Sequence, residues 1–238
     1  MKKIFYIVLG VFMFAGNVNA QMLTSEEVEN QAYNVYGLDK KKPKWEKKAE
    51  ELVKNGLISL DQQNALQYTE VIDCGNSTAD QLYVILNYWF TQTFNDANSV
   101  IKLNDKETGT IIGQGYLDIA THRGGMNAYD ISIQPIIKCD IKPGKVRITF
   151  TVPAFRVTRK VGGGLLGLGM GNAQQLHQTS NWPIQKTYPF DKKPEAQYKA
   201  PKATAKGLIM AAVMSEVILN KIKKAVQEGI SGNETDEW

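Results

Sequence analysis

Two cysteines, two histidines and scattered carboxylates are the side chains of this sequence that could do chemistry. Neither His122, in a glycine-rich stretch, nor His177, in a polar one, belongs to an H-E-x-x-H or comparable ligand spacing. A metal site would need ligands gathered from distant parts of the chain, so no metal and no cofactor is expected, and both histidines read as surface residues. No G-x-S-x-G is present, and a Cys–His pair arises only by joining Cys74 or Cys139 to a loop histidine. A small buried thiol is the simpler reading of each cysteine. Cys74 and Cys139 could instead form a disulfide if their strands are neighbours, which export would permit. Asp105 and Glu107 lie two apart in a polar turn. Paired carboxylates do acid–base work when their surroundings split their pKa values, whereas in an exposed turn both are ionised and solvated. His122 with Asp118, near the end of the preceding strand, is the motive for an alternative reading: a hydrolase whose site is assembled from scattered polar residues.

Three stretches point to binding instead. Residues 162–171 read GGGLLGLGMG without the Gly-Lys-Ser/Thr of a phosphate-binding loop. An exposed apolar loop of Gly162, Gly163, Gly164, Leu165, Leu166 and Leu168 would mark an interaction site, whereas the same loop folded back on its own domain would serve packing alone. Arg156, Arg159 and Lys160 precede it, and each cation contributes ~1 kcal/mol near an anionic membrane surface. A second candidate is a polar sheet face with Gln134, Lys138, Arg147 and Thr149, flanked by Ser132 and Thr151, which is either simply solvated, covered by the N-terminal helical extension, or a surface for an extended peptide, a glycan or a protein. Gly113 and Gly115 bare one face of their strand, either for a close-lying ligand or to relieve twist.

The positioning elements are legible from periodicity. Tyr129, Ile131, Ile133, Pro135, Ile137, Cys139 and Ile141 alternate with Asp130, Ser132, Gln134, Lys138 and Asp140, a period of two broken only at Ile136, which predicts a half-buried strand. Pro143-Gly144 suits a type II turn, and the return strand buries Val146, Ile148, Phe150 and Val152. Strands are also expected over Gln67–Asp73, Val100–Leu103 and Thr110–Ile119. A helix capped near Ser77 carries Leu82, Leu86, Trp89 and Phe90 on its inner side. Residues 172–205, with Pro183, Pro189, Pro194 and Pro201, read as extended, and Lys206–Gln227 as a helix whose first half is apolar all round. Residues 21–64 form a helical extension in which Trp45, Ala49 and Leu52 make the docking stripe. The expected domain proper is 65–228, with 162–205 a loop-rich connection and 229–238 a disordered tail. The fold class is α+β: a largely antiparallel five-stranded sheet in the order β-α-β-β-β-β-(long connection)-α, helices on one face.

Lys2-Lys3, the apolar run Ile4–Ala15 and Val18-Asn19-Ala20 have the pattern of a secretory signal cleaved after Ala20. The expected location is periplasmic or at the cell envelope. The formal charge is +4 before the two leader lysines are removed, which gives no global argument for nucleic acid.

The segments TEVIDCGNSTADQLYVILNYWF, IKLNDKETGTIIGQGYLDIA and IKPGKVRITFTV resemble an uncharacterised exported domain, chiefly of Bacteroidetes, with a TATA-binding-protein-like fold. The resemblance spans Gln67 to Val157, and the final helix is a plausible closing element. It rests on Tyr88-Trp89-Phe90, Gly113-x-Gly115 and the Gly144-Lys145-Val146-Arg147 hairpin. Gly162 to Gln178 looks like an insertion, and residues 21–64 lie outside. The family implies a fold and brings no catalytic residues; a shared fold with a DNA-binding protein says little about function. The function expected is a non-catalytic binding or assembly module of the envelope, with an envelope protein, glycan or membrane surface as partner.

Overall fold

The computed structural model describes residues 24–94, 100–124, 127–161 and 176–229. The expected signal sequence 1–20, the Gly162–Gly171 stretch and residues 230–238 lie outside them.

Helix α1 (Ser25–Tyr36) opens with a capping box: Thr24 and Glu27 satisfy each other's backbone N–H, and Gly37 ends the helix at φ 61°. Helix α2 (Trp45–Lys54) buries Trp45, Ala49 and Leu52, the stripe its sequence predicts. The strands are β1 (Leu66–Asp73), β2 (Ile101–Asp105), β3 (Thr110–Gln114), β4 (Leu117–Gly124), β5 (Asn127–Ile133), β6 (Ile136–Lys142), β7 (Lys145–Val152), β8 (Ala154–Val161) and β9 (Leu176–Pro183). Between β1 and β2 lies α3 (Ala79–Phe94), and α4 (Pro201–Glu228) closes the chain. Gly144 adopts φ 71° in the two-residue β6–β7 turn.

The five-stranded antiparallel sheet is present, in the order β1-β7-β6-β3-β2. A four-stranded sheet, β4-β5-β8-β9, is added to it. The two share their strand succession. The expected strand 110–119 breaks at Gly115-Tyr116, the strand through 129–141 breaks at Gln134-Pro135, and the chain after Val152 breaks at Pro153. All three breaks fall on one line, because Gln114 pairs with Ile136 on one side of it and Leu117 with Ile133 on the other. The assembly is therefore one antiparallel stack bent along a line. Proline cannot donate to the ladder and glycine gives no side-chain packing, so these residues mark where pairing lapses.

Both core helices cover the same face. A Cβ on Gly113 would land within the Phe90 ring of α3, and one on Gly115 within the Phe94 ring. The bare patch is therefore filled by the chain's own aromatics, and no ligand lies there. Helix α4, about 42 Å long at 1.5 Å per residue, spans the bend. Its Gly207 lies against Ile131 and Phe155, and farther along Lys223 pairs with Glu70 of β1 at 3.0 Å. Residues Ala203–Ser215 are all buried, which explains why this half is apolar on every side. By length and composition α4 could cross a membrane, but 83% of its apolar window is buried within the protein.

Cys74 and Cys139 are free and buried. In register, Cys139 lies opposite Ile148, and Ile148 opposite Glu70, four residues before Cys74. Two strand spacings plus four residues of rise put the cysteines roughly 16 Å apart, beyond the ~7 Å limit for a disulfide. That bond is not formed.

Candidate functional site

Among the described residues, the sheet face opposite α3 and α4 carries no helix. Its side chains follow from strand alternation. On the five-stranded part, Asp140 stands beside Arg147 and Thr110, and Lys138 beside Thr149 and Ile112. Arg147 donates to Asp140 Oδ2 through Nε at 3.0 Å and Nη2 at 2.8 Å, while Lys138 meets Asp140 Oδ1 at 2.8 Å. Partial burial alone would raise the Asp140 pKa, but bonds from these two cations hold it below the usual carboxylate value. The lattice thus orders Lys138 and Arg147, two of the four sheet-face candidates. Thr149 shares that face, and Gln134 sits exposed at the bend.

On the four-stranded part the outer rows are Asp118–Ser132–Arg156–Asn181 and Thr121–Asp130–Thr158–Thr179. A bulge at Ile119 keeps both rows in phase, since Asp118 pairs with Ser132 and Ala120 with Ile131. Ser132 was expected on an exposed face; it is on that face but only 3% exposed, because Tyr116 lies over it. Ser132 Oγ donates to Tyr116 Oη at 2.6 Å, and the Arg156 guanidinium sits 5.6 Å from the ring centroid. Asp130 pairs with Lys160 and accepts from Thr121 Oγ1 at 3.0 Å. A groove of about 480 Å³ runs beside these residues, bounded by Ser25 of α1.

The three cations proposed to flank the apolar loop do not converge. Arg156 and Lys160 lie on the outer face, whereas Arg159 has the opposite parity and donates to Asn127 Oδ1 at 3.1 Å. The loop itself, with Gly162, Gly163, Gly164, Leu165, Leu166 and Leu168, is outside the described residues, as is the His177 side chain. Past the bulge, His122 points to the helix side while Asp118 points outward, so the two do not form a pair. Burial, and then the charges of Lys206 and Lys202, hold His122 below its ordinary pKa. Asp105 accepts from the backbone N–H of Glu107 at 3.0 Å and of Thr108 at 3.1 Å, a turn-closing role. No group of three metal-ligating side chains occurs among the described residues.

A buried ion pair escaped notice in the sequence. Lys206, in the apolar half of α4, is 7% exposed. Its Nζ meets Glu29 of α1 at 2.8 Å and the Thr121 carbonyl at 3.0 Å, and lies 5.6 Å from the Trp45 ring centroid. Tyr33 Oη donates to the other Glu29 oxygen at 2.6 Å. The helical extension is thereby anchored to the sheet, and its apolar residues join the same core.

The tyrosines around this extension carry a pH signature. Burial, then the Glu216 charge, pushes Tyr36 up to about 12; burial, then the bond to Glu50, pushes Tyr188 up to about 12. Tyr33 and Tyr68 are raised too, chiefly by burial. A raised pKa means the folded state holds its proton longer, so this stabilisation is whole below the unfolded value of ~10 and falls as pH rises towards the folded values. The urea midpoint should drop steadily from pH 10 to 12, in step with tyrosinate absorbance. A flat midpoint there would contradict the burial of these hydroxyls.

The bent antiparallel sheet backed on one face by helices defines an α+β domain of the TBP-like kind. Residues 68–156 match the family described as a domain of unknown function, DUF4468, with TBP-like fold. It is similar to a TBP-like protein from Parabacteroides distasonis at 11% identity, covering 71% of this chain and 96% of that one, TM-score 0.48. It is also similar to a DUF4468 family protein from Bacteroides ovatus at 12% identity, covering 76% and 95%, TM-score 0.46. No curated protein matches.

Proposed function

We propose that the protein is an exported, envelope-associated and non-catalytic binding module, with the helix-free sheet face as its binding surface. One observation carries this reading: that face presents polar side chains ordered by ion pairs around Asp140 and Asp130, beside the exposed Val71, Leu103 and Ile136, while α3 and α4 occupy the other side. The hydrolase alternative loses its motive, since Asp118 and His122 lie on opposite faces of β4. The leader sequence supports export, as its positive start, apolar run and small-residue cleavage site are those of a secretory signal.

A photo-crosslinking residue placed at Thr149, on the outer face, should yield specific adducts with envelope components, and one placed at Gln81 on α3 should not. The exported protein should begin at Gln21 by mass spectrometry. Equal adducts from both positions, or none from Thr149, would remove the outer face as the binding surface.

A further inference from the structure

We infer that the groove on the outer face of the four-stranded sheet binds a neutral saccharide, with Tyr116 as its stacking platform. The inference rests on the outer face being the binding face and names its ligand class. Tyr116 is 49% exposed, yet it is held at two points, by Ser132 at its hydroxyl and by the Arg156 guanidinium beside its ring. An exposed aromatic fixed in this way loses little freedom when a ligand packs on its remaining surface. The groove's charges select the ligand. The groove is lined by Asp118, Asp130 and Lys160, of which Lys160 and Asp130 are paired; Arg156 lies outside the lining, two strands from Asp118 in the same row. An anion would meet the carboxylates of Asp118 and Asp130 and a cation would meet Lys160, whereas a neutral polyol meets both acceptor and donor groups without bringing a further charge into the groove. The volume of about 480 Å³ lies within the range of small-ligand sites. A sugar ring presents what this surface matches: a C–H face for the tyrosine and hydroxyls that both donate and accept for Asp118 and Lys160.

The test applies the folded protein to an array of neutral, sialylated and sulfated oligosaccharides, followed by calorimetric titration of the bound neutral glycan. Binding to neutral members is expected. Tyr116→Ala and Asp118→Asn should each weaken it at least tenfold, and Tyr88→Ala, an equally exposed tyrosine on α3, should leave it unchanged. Asp118 is an exposed side chain, so its variant keeps the test open if Tyr116→Ala fails to fold. Absence of any neutral hit, binding confined to anionic glycans, or full binding by Asp118→Asn would overturn the saccharide assignment. Thr149 adducts that persist in any of those cases would leave the binding module standing without it.

Discussion

Glu29→Ala should lower the stability of the protein by about 3 kcal/mol, because it strands a cation inside the fold. Lys206 is 7% exposed and its ammonium meets Glu29, the Thr121 carbonyl and the Trp45 ring. Removing the carboxylate leaves only a neutral acceptor and a ring to compensate a desolvated charge. Lys206→Met should cost less, roughly 1–2 kcal/mol, since the stranded partner is then Glu29, which is part-exposed and keeps its bond from Tyr33. Guanidinium unfolding of the two variants gives the comparison. Equal losses would mean that packing, and not the buried charge, holds α1 against α4 and β4. A loss below about 0.5 kcal/mol for Glu29→Ala would place the pair among ordinary surface bridges.

Gly113→Ala should destabilise by roughly 3 kcal/mol, the upper part of the usual overpacking range. The added methyl would overlap the Phe90 ring, and that ring cannot yield freely. Phe90 is fully buried, in edge contact with Trp89 at 5.0 Å and stacked with Phe94 at 6.3 Å between centroids. Gly115→Ala meets Phe94, which is half-buried at the end of α3 and can move outward, so its loss should be smaller. Phe90→Leu combined with Gly113→Ala should recover part of the loss, giving a favourable coupling in a double-mutant cycle. Additive losses would show that the glycine is required by strand conformation and not by the ring.

The outcome for these glycines shows how far local pattern carries. Gly113 and Gly115 are visible in the sequence as two bare positions on one strand face, but their purpose depends on α3, some twenty residues away. The aromatic side of α3 was equally visible. Their mutual fit was not, because shape complementarity between elements has no local signature. Lys206 is similar. A lysine inside an apolar run reads as a flaw in the pattern until Glu29, far away in the chain, is seen to face it.

Among the strands, β8 was missed although Phe155 and Val157 alternate with Arg156 and Thr158. Pro153 and the basic residues masked a short period-two run. Strand β9, LHQTSNWP, has almost no apolar alternation of its own. It pairs with β8 along its whole length, and Trp182, opposite Phe155, supplies its contribution to the core. Tertiary context overrides weak propensity in such a strand.

By itself the sequence determined the α+β class, the buried stripe of α2, the β6–β7 hairpin and the helical nature of α3 and α4. Each of these is written in residues a few positions apart, through period, cap or turn geometry. The tertiary structure alone decided that three strands break on a common line, that Cys74 and Cys139 lie too far apart to bond, that His122 and Asp118 face away from each other, and that Tyr116 is held over Ser132 beside a groove. Those features depend on register, on one bulge at Ile119 and on contacts between distant segments. A one-residue change of phase moves a side chain to the other face of a sheet, and no local pattern records it.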